Sequence, residues 1–132
     1  MTITCTWRGP FVNTEISALH AAAFDHPVSA DDWQGLADRH SLGWVTARRD
    51  GTLAGFVNVV WDGALHAWIQ DLMVAPGSRR QGIGTRLAAA AREGARAARC
   101  DWLHVDFEDD LRVFYVDACG FTPVSAGLIA LR

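Results

Sequence analysis

Leu72-Met73-Val74-Ala75-Pro76-Gly77-Ser78-Arg79-Arg80-Gln81-Gly82-Ile83-Gly84-Thr85 decides the reading of this chain. An apolar strand ends at Val74, a proline–glycine loop follows, and Gly82 and Gly84 open an alanine-rich stretch. Leu87, Ala91, Ala95 and Ala98 fall at helical spacing on one side of that stretch, which predicts a helix from about Gly84 to Ala98. Glycines at a helix start let a ligand approach the backbone. The free N–H groups of the first turn then point at it, and the helix dipole favours negative charge. Arg79 and Arg80 add cations, so the turn reads as a pyrophosphate cradle at a strand end, against a plainer reading in which the glycines serve packing. Two better-known loops are excluded. Gly77 to Gly82 has Walker spacing, but Ile83-Gly84 replaces the required Lys-Ser/Thr. Gly82-x-Gly84 begins a dinucleotide fingerprint, but Leu87 takes the third glycine's place.

Working outward, Trp102 to Phe107 predicts the next strand, so residues 65–107 form a βαβ unit with parallel strands. Upstream, Leu42–Arg49, Leu53–Trp61 and Leu65–Val74 are strand-like and are joined by Asp50-Gly51 and Asp62-Gly63, a strong hairpin signal. They predict an antiparallel meander, with Gly55 marking a bulge or a close backbone approach. Ile3, Cys5 and Trp7 alternate as a first strand. A helix capped by Asn13 or Thr14 carries Ile16, Leu19, Ala23 and Phe24, and a second starts at Ser29 with Trp33, Leu36, Ala37 and His40 inward. His20 and His40 read as structural histidines. A last helix from Asp109 to Ala118 turns Leu111, Phe114, Tyr115 and Ala118 inward, and Phe121–Val124 and Leu128–Leu131 read as short strands. The expectation is an α/β fold: a mixed, largely antiparallel sheet with a central βαβ unit and helices on both faces.

The 132 residues fit a single domain, 1–132, half hydrophobic and a fifth charged, and not a disordered chain. A net charge of −3 argues against a nucleic-acid partner. All 12 basic residues are arginines, so phosphate binding falls to arginine and backbone amides. Three cysteines without C-x-x-C spacing predict reduced thiols and no metal site. No signal segment or membrane-length apolar run is present, so a cytoplasmic protein with no membrane partner is expected.

Arg79-x-x-Gly82-x-Gly84, Leu72-Met73-Val74-Ala75-Pro76, and Phe114-Tyr115 followed by Cys119-Gly120-Phe121 together resemble the GNAT superfamily of N-acetyltransferases, over nearly the whole chain. The resemblance implies transfer of an acetyl group from acetyl-CoA, as co-substrate, to a primary amine by direct attack in a ternary complex. It implies that the fourth and fifth strands splay and that the pantetheine arm pairs with backbone at Leu72, Met73 and Val74. It implies that Arg79, Arg80, Gln81, Gly82, Ile83, Gly84 and Thr85 hold the pyrophosphate. Tyr115 would protonate the departing thiolate; a tyrosine hydroxyl, with a pKa near ~10, suits a basic leaving sulfur. The family's frequent glutamate base on the fourth strand is missing. Asp71 stands nearby but on the wrong face of a regular strand, unless a bulge re-aims it. His66, His104, Asp106 and Glu108 are further candidates. Asp106 and Glu108, with Asp109 and Asp110, also predict binding of a cationic acceptor at the end of the fifth strand. A small-molecule or peptide amine acceptor, a protein N-terminal or side-chain acetyltransferase, O-acyl transfer, a non-catalytic acyl-CoA-binding domain and a homodimer all stay open.

Overall fold

The computed structural model describes residues 2–132. Five strands form one sheet in the order β1 (Ile3–Trp7), β2 (Ser41–Arg49), β3 (Thr52–Trp61), β4 (His66–Val74), β5 (Trp102–His104). The first four are antiparallel neighbours, and β4 and β5 are parallel. Helices α1 (Asn13–Phe24) and α2 (Trp33–His40) cover one face, and α3 (Ile83–Ala97), the crossover of the βαβ unit, covers the other.

Each layer follows from its residues. Asp50-Gly51 takes positive φ at both positions, as a tight hairpin requires. The second connection differs from expectation: only Gly63 has positive φ. Asp62 instead accepts hydrogen bonds from Ala64 N (2.8 Å) and His66 N (3.1 Å), so its carboxylate, not a two-residue turn, closes the loop. Leu87, Ala91 and Ala95 of the expected face are buried and Ala98, at the C-cap of α3, is half-buried, while Arg86, Arg92, Arg96 and Arg99 are exposed; Ile83 joins the buried face. Small residues let this helix lie close to the sheet: a Cβ on Gly55 would stand 3.0 Å from both Ile83 and Leu87. Ile16, Leu19, Leu53, Phe56 and Met73 form the core under α1.

Several boundaries shift. Helix α1 starts after Val12, whose N–H donates to Glu15 Oε1 (3.1 Å), while Glu15 also takes both terminal nitrogens of Arg48. Asn13 is not the cap; its Oδ1 accepts from Gln34 N (2.8 Å), tying α1 to the start of α2. Helix α2 begins at Trp33, not Ser29, because Asp32 supplies the cap by accepting from Gly35 N. Phe24 is half exposed and His40 exposed, outside the faces expected for them. Strand β5 stops at His104 rather than Phe107. The expected last helix is a 3-10 turn (Asp109–Leu111) followed by a π-helical segment, Val113–Ala118, with Leu111 and Ala118 exposed. Its wide turn, closed by Cys119 N to Phe114 O (2.9 Å), lets Phe114 and the buried Tyr115 reach inward together. No strands form at 121–124 or 128–131. Pro123 lacks a ladder donor, and residues 122–132 are exposed, so β5 ends the sheet.

Trp7 spans from β1 across the sheet to α3. A Cβ on Gly43 would lie 2.2 Å from its ring, and one on Gly94 would lie 2.4 Å away. Alanine normally stabilises a helix interior relative to glycine by roughly 1 kcal/mol. Here overpacking against the indole should reverse the sign, and Gly94→Ala should destabilise by about 1–3 kcal/mol. Urea unfolding measures this; a gain in stability would show that α3 can shift off Trp7.

Candidate active site

The site starts from one irregularity in β4. Phe56 pairs with Met73, but Asn58 pairs with Gln70, so Asp71 and Leu72 together oppose Val57. Two residues against one is a β-bulge, and Asp71 takes positive φ (54°) to make it. The bulge inverts the alternation. Ile69 belongs to the core under α3, whereas Met73, four residues on, belongs to the core under α1. Asp71 therefore comes to the α1 side, with Oδ1 3.7 Å from His20 Nε2. This is the re-aiming that a regular strand would forbid.

The same place is where the sheet opens. Strand β5 pairs with β4 only from Trp102–His104 against His66–Trp68. Beyond Trp68 the β4 backbone has no strand partner on that side among the described residues. Ile69, Gln70, Asp71 and Leu72 on β4, Val105 and Asp106 after β5, and Tyr115 line a cleft of about 230 Å³. The Tyr115 ring stacks on Phe107 (centroids 5.3 Å) and meets Phe114 and Phe121 edge-on (4.8 and 6.0 Å). Burial, with a smaller contribution from Cys119, pushes its hydroxyl above the usual tyrosine range, so Tyr115 keeps its proton at neutral pH. Asp71 lines a second cavity too, of about 410 Å³, with Asp31, Asp32, Trp33, Leu36 and Arg39. One carboxylate thus joins two cavities. Burial raises its pKa above the ordinary aspartate range, and His20 partly offsets this.

The glycine turn sits at the far end of β4. Gly82 is the left-handed N-cap of α3 (φ 75°), no side chain caps the helix, and a Cβ there would meet nothing within 4 Å. The amides of the first turn, Ile83, Gly84 and Thr85, thus precede any intrahelical acceptor. Gly84 has another reason: its Cβ would come within 3.1 Å of the Phe114 ring. Arg80 and Gln81 are exposed beside the turn, Arg80 with positive φ. Arg79 Nη2 donates to Ala23 O (2.9 Å), which ties the loop to α1. Arg49 at the end of β2 donates to Gln81 Oε1, a contact between residues 32 apart that no local pattern announces.

The other candidates separate. Asp106 lines the cleft, whereas Glu108, Asp109 and Asp110 are exposed at the 3-10 turn that Glu108 opens. His66 Nδ1 and His104 Nε2 lie 2.7 Å apart beneath Trp68, at the paired and not the splayed end of β4 and β5. Trp44 donates to Gly9 O and packs on Phe11, away from the cleft. Among the described residues, no helix is long and apolar enough to cross a membrane.

The sequence model of the Acetyltransferase (GNAT) family matches residues 10–121, and the chain belongs to that family. It is 33% identical over 91 residues to a mycothiol acetyltransferase of Nocardia farcinica; the alignment takes in 69% of this chain and 30% of that relative. The chain therefore spans about a third of the length of the curated relatives it matches. Its fold is similar to that of a GNAT-family acetyltransferase of Streptococcus pneumoniae (TM-score 0.79, 23% identity, 99% of this chain and 98% of the other). It is also similar to the aminoglycoside N-acetyltransferase AAC(6')-Iy in complex with the bisubstrate analogue CoA-S-monomethyl-acetylneamine (TM-score 0.76, 17% identity, 100% and 99%).

The raised pKa of Asp71 gives a signed expectation. Its folded pKa lies above the unfolded value of about 3.9, so ionisation costs stability as pH rises from there through the folded pKa. Asp71→Asn should gain stability relative to wild type over that window. Thermal unfolding of the pair from pH 3.5 to 7 tests this; a constant difference would mean Asp71 ionises freely.

Proposed function

We propose that this domain transfers the acetyl group of acetyl-CoA to a primary amine, and that the amine is cationic in solution. The observation that carries the reading is the cleft between β4 and β5, with Tyr115 and Asp71 on its walls and the uncapped glycine turn at the end of the same strand.

The residues present fit acetyl-CoA. The open space over Gly82 and the free amides from Ile83 to Thr85 suit the pyrophosphate, with Arg80 and Gln81 at its edge. The unpaired side of β4 at Leu72, Met73 and Val74 offers backbone groups to the amide-bearing arm, as an added strand would. Acetyl-CoA supplies a thioester carbonyl open to attack and a thiolate leaving group. Asp71 acts on the incoming amine. An alkylamine with a pKa near ~10 is mostly protonated at neutral pH, and freeing it costs roughly 4 kcal/mol unaided. Asp71 takes that proton from the side of the second cavity, then faces the attacking nitrogen across the bulge. Tyr115 holds its proton until the thiolate departs and donates it there. A backbone N–H at Leu72 to Val74 would polarise the thioester carbonyl.

The acceptor's charge follows from the cavity walls. Asp31, Asp32 and Asp71 line the second cavity against one cation, Arg39, and Asp106 adds a carboxylate on the cleft side. Hydrogen bonds from Gly35 N and Asn13 hold Asp32 below the ordinary aspartate range, so it stays ionised. The Trp33 indole supplies an apolar wall that also favours cations. A neamine-type polyamine, the acceptor half of the analogue bound to the aminoglycoside enzyme, has this character.

Two substitutions test the reading. Tyr115→Phe keeps the ring and its stacking, and should lower kcat by about 10²–10⁴ with little change in acetyl-CoA affinity. Gly82→Glu fills the open space and sets a carboxylate against the phosphates; calorimetry should then find no CoA binding by a protein that circular dichroism shows folded. Turnover is followed as thiol release over an amine panel that includes neamine and a peptide N-terminus. Wild-type kcat in Tyr115→Phe, or unchanged CoA affinity in folded Gly82→Glu, would overturn the corresponding assignment.

A further inference from the structure

Behind Asp71 lies a line of hydrogen-bonding groups that acetyl transfer as described does not use. His20 Nδ1 lies 2.6 Å from His26 Nε2, and His26 Nδ1 lies 2.7 Å from Pro27 O. Helix α1 ends at Asp25 in the left-handed conformation, and His26 N bonds back to Ala21 O (3.1 Å), which folds His26 onto His20 one turn below. Phe24 and Trp33 enclose the His20 ring at 4.7 and 5.4 Å.

The carbonyl at the end of the line fixes every proton. A carbonyl oxygen only accepts, so His26 Nδ1 carries hydrogen. In the neutral ring Nε2 is then an acceptor, and His20 Nδ1 must donate to it. That leaves His20 Nε2 as the bare nitrogen, and it faces Asp71 Oδ1 at 3.7 Å. A lone pair set against a carboxylate is unfavourable without a proton between them. We propose that His20 is a proton relay for Asp71, its tautomer fixed by His26 and Pro27 O, so that the amine's proton passes from Asp71 to His20 Nε2 and leaves to water.

The proton count closes. The amine N–H breaks as an O–H forms on Asp71. A small rotation of ring or carboxyl brings the pair to hydrogen-bond distance, and the O–H then breaks as an Nε2–H forms. Asp71 is returned as a carboxylate beside an imidazolium that keeps its Nδ1–H on His26. The His20 side chain, 26% exposed, gives that proton to water, and its neutral tautomer is unchanged. The proposal rests on Asp71 as base, and His20 and His26 act through it as positioning residues. The titratable and charged groups facing Asp71 are Asp31, Asp32 and Arg39 on the α2 side, and Asp106 and the neutral Tyr115 across the cleft.

The test begins with ligand-free protein. Long-range ¹⁵N–¹H spectra should find neutral His20 and His26 both protonated at Nδ1. In His26→Ala, His20 should revert toward the Nε2–H form common in water. His20→Phe, which keeps a ring against Trp33, should move the ¹³C titration of the Asp71 carboxyl to higher pH, since His20 opposes the burial that raises it. With acetyl-CoA and neamine, that variant should lose about 10-fold in kcat, less than loss of the base itself, and the acid limb of kcat/KM should move up in pH. Nε2–H tautomers in the wild type, or an Asp71 titration indifferent to His20→Phe, would overturn the relay. Asp71→Asn keeps the readings separate: full turnover in that variant overturns the base and leaves the tautomer result standing, whereas inactivity combined with a wild-type profile in His20→Phe overturns the relay alone.

Discussion

One extra residue in β4 sets the geometry of the whole site. Because Asp71 and Leu72 share a single partner on β3, the strand bends there and its alternation inverts. The inversion sends Met73 under α1 and leaves Asp71 between two cavities. Just before it, at Trp68, β4 leaves β5, and the gap becomes the cleft that Tyr115 lines. An unbulged β4 would turn the Asp71 carboxylate toward the apolar core under α3, at a cost of several kcal/mol. The bulge and the position of Asp71 therefore require each other.

The parts of this arrangement that sequence reveals are those whose cause is local. The Asp50-Gly51 hairpin, the alanine face of α3 and the glycines at its start each express a backbone or helical preference within a few residues, and each stands where the pattern puts it. The motif at Arg79, Gly82 and Gly84 and the Phe114-Tyr115 pair carried the resemblance to the family. The orientation of Asp71 was not legible, because a bulge belongs to two strands and Val57 carries no mark of it. The tie from Arg79 to α1 was not legible for a related reason: its partner, Ala23 O, is 56 residues away in sequence. His20 and His26 stand six apart, which is no helical neighbour spacing, and only the left-handed cap at Asp25 joins them. The cue was present in Asp25-His26-Pro27, a helix stop that proline cannot continue. The strands expected at 121–124 and 128–131 do not form, since Pro123 lacks a ladder donor and residues 122–132 are exposed.

Cavity chemistry and helix placement are linked through Asn13. Its side chain holds Gln34 N and Asp32 together, so the start of α2 is fixed to the start of α1. Trp33 continues the link by donating to Ser17 Oγ (3.0 Å). Asp32, one carboxylate of the second cavity, thus caps a helix whose first turn is held by side chains of its neighbour. A rigid, acidic wall favours a cation without the entropic cost of ordering the wall when the ligand enters.

Burial acts on the acid and the base in the same direction, and in the proposed reaction both shifts help. Removing water from Tyr115 raises its pKa, which keeps the proton in place until a strongly basic thiolate appears to take it. Removing water from Asp71 also raises its pKa, which narrows the gap to an ammonium that would otherwise hold its proton against an ordinary aspartate by about six pKa units. The amine loses solvent as it enters the same cavity, and desolvation lowers an amine's pKa while it raises a carboxylate's. Base and substrate therefore approach one another from both sides, whereas two exposed groups in water would not. A fully buried aspartate would carry this too far, holding its proton and ceasing to be a base. The partial exposure of Asp71, 29% of its side chain, together with the imidazole at its back, keeps the carboxylate accessible while its basicity is raised.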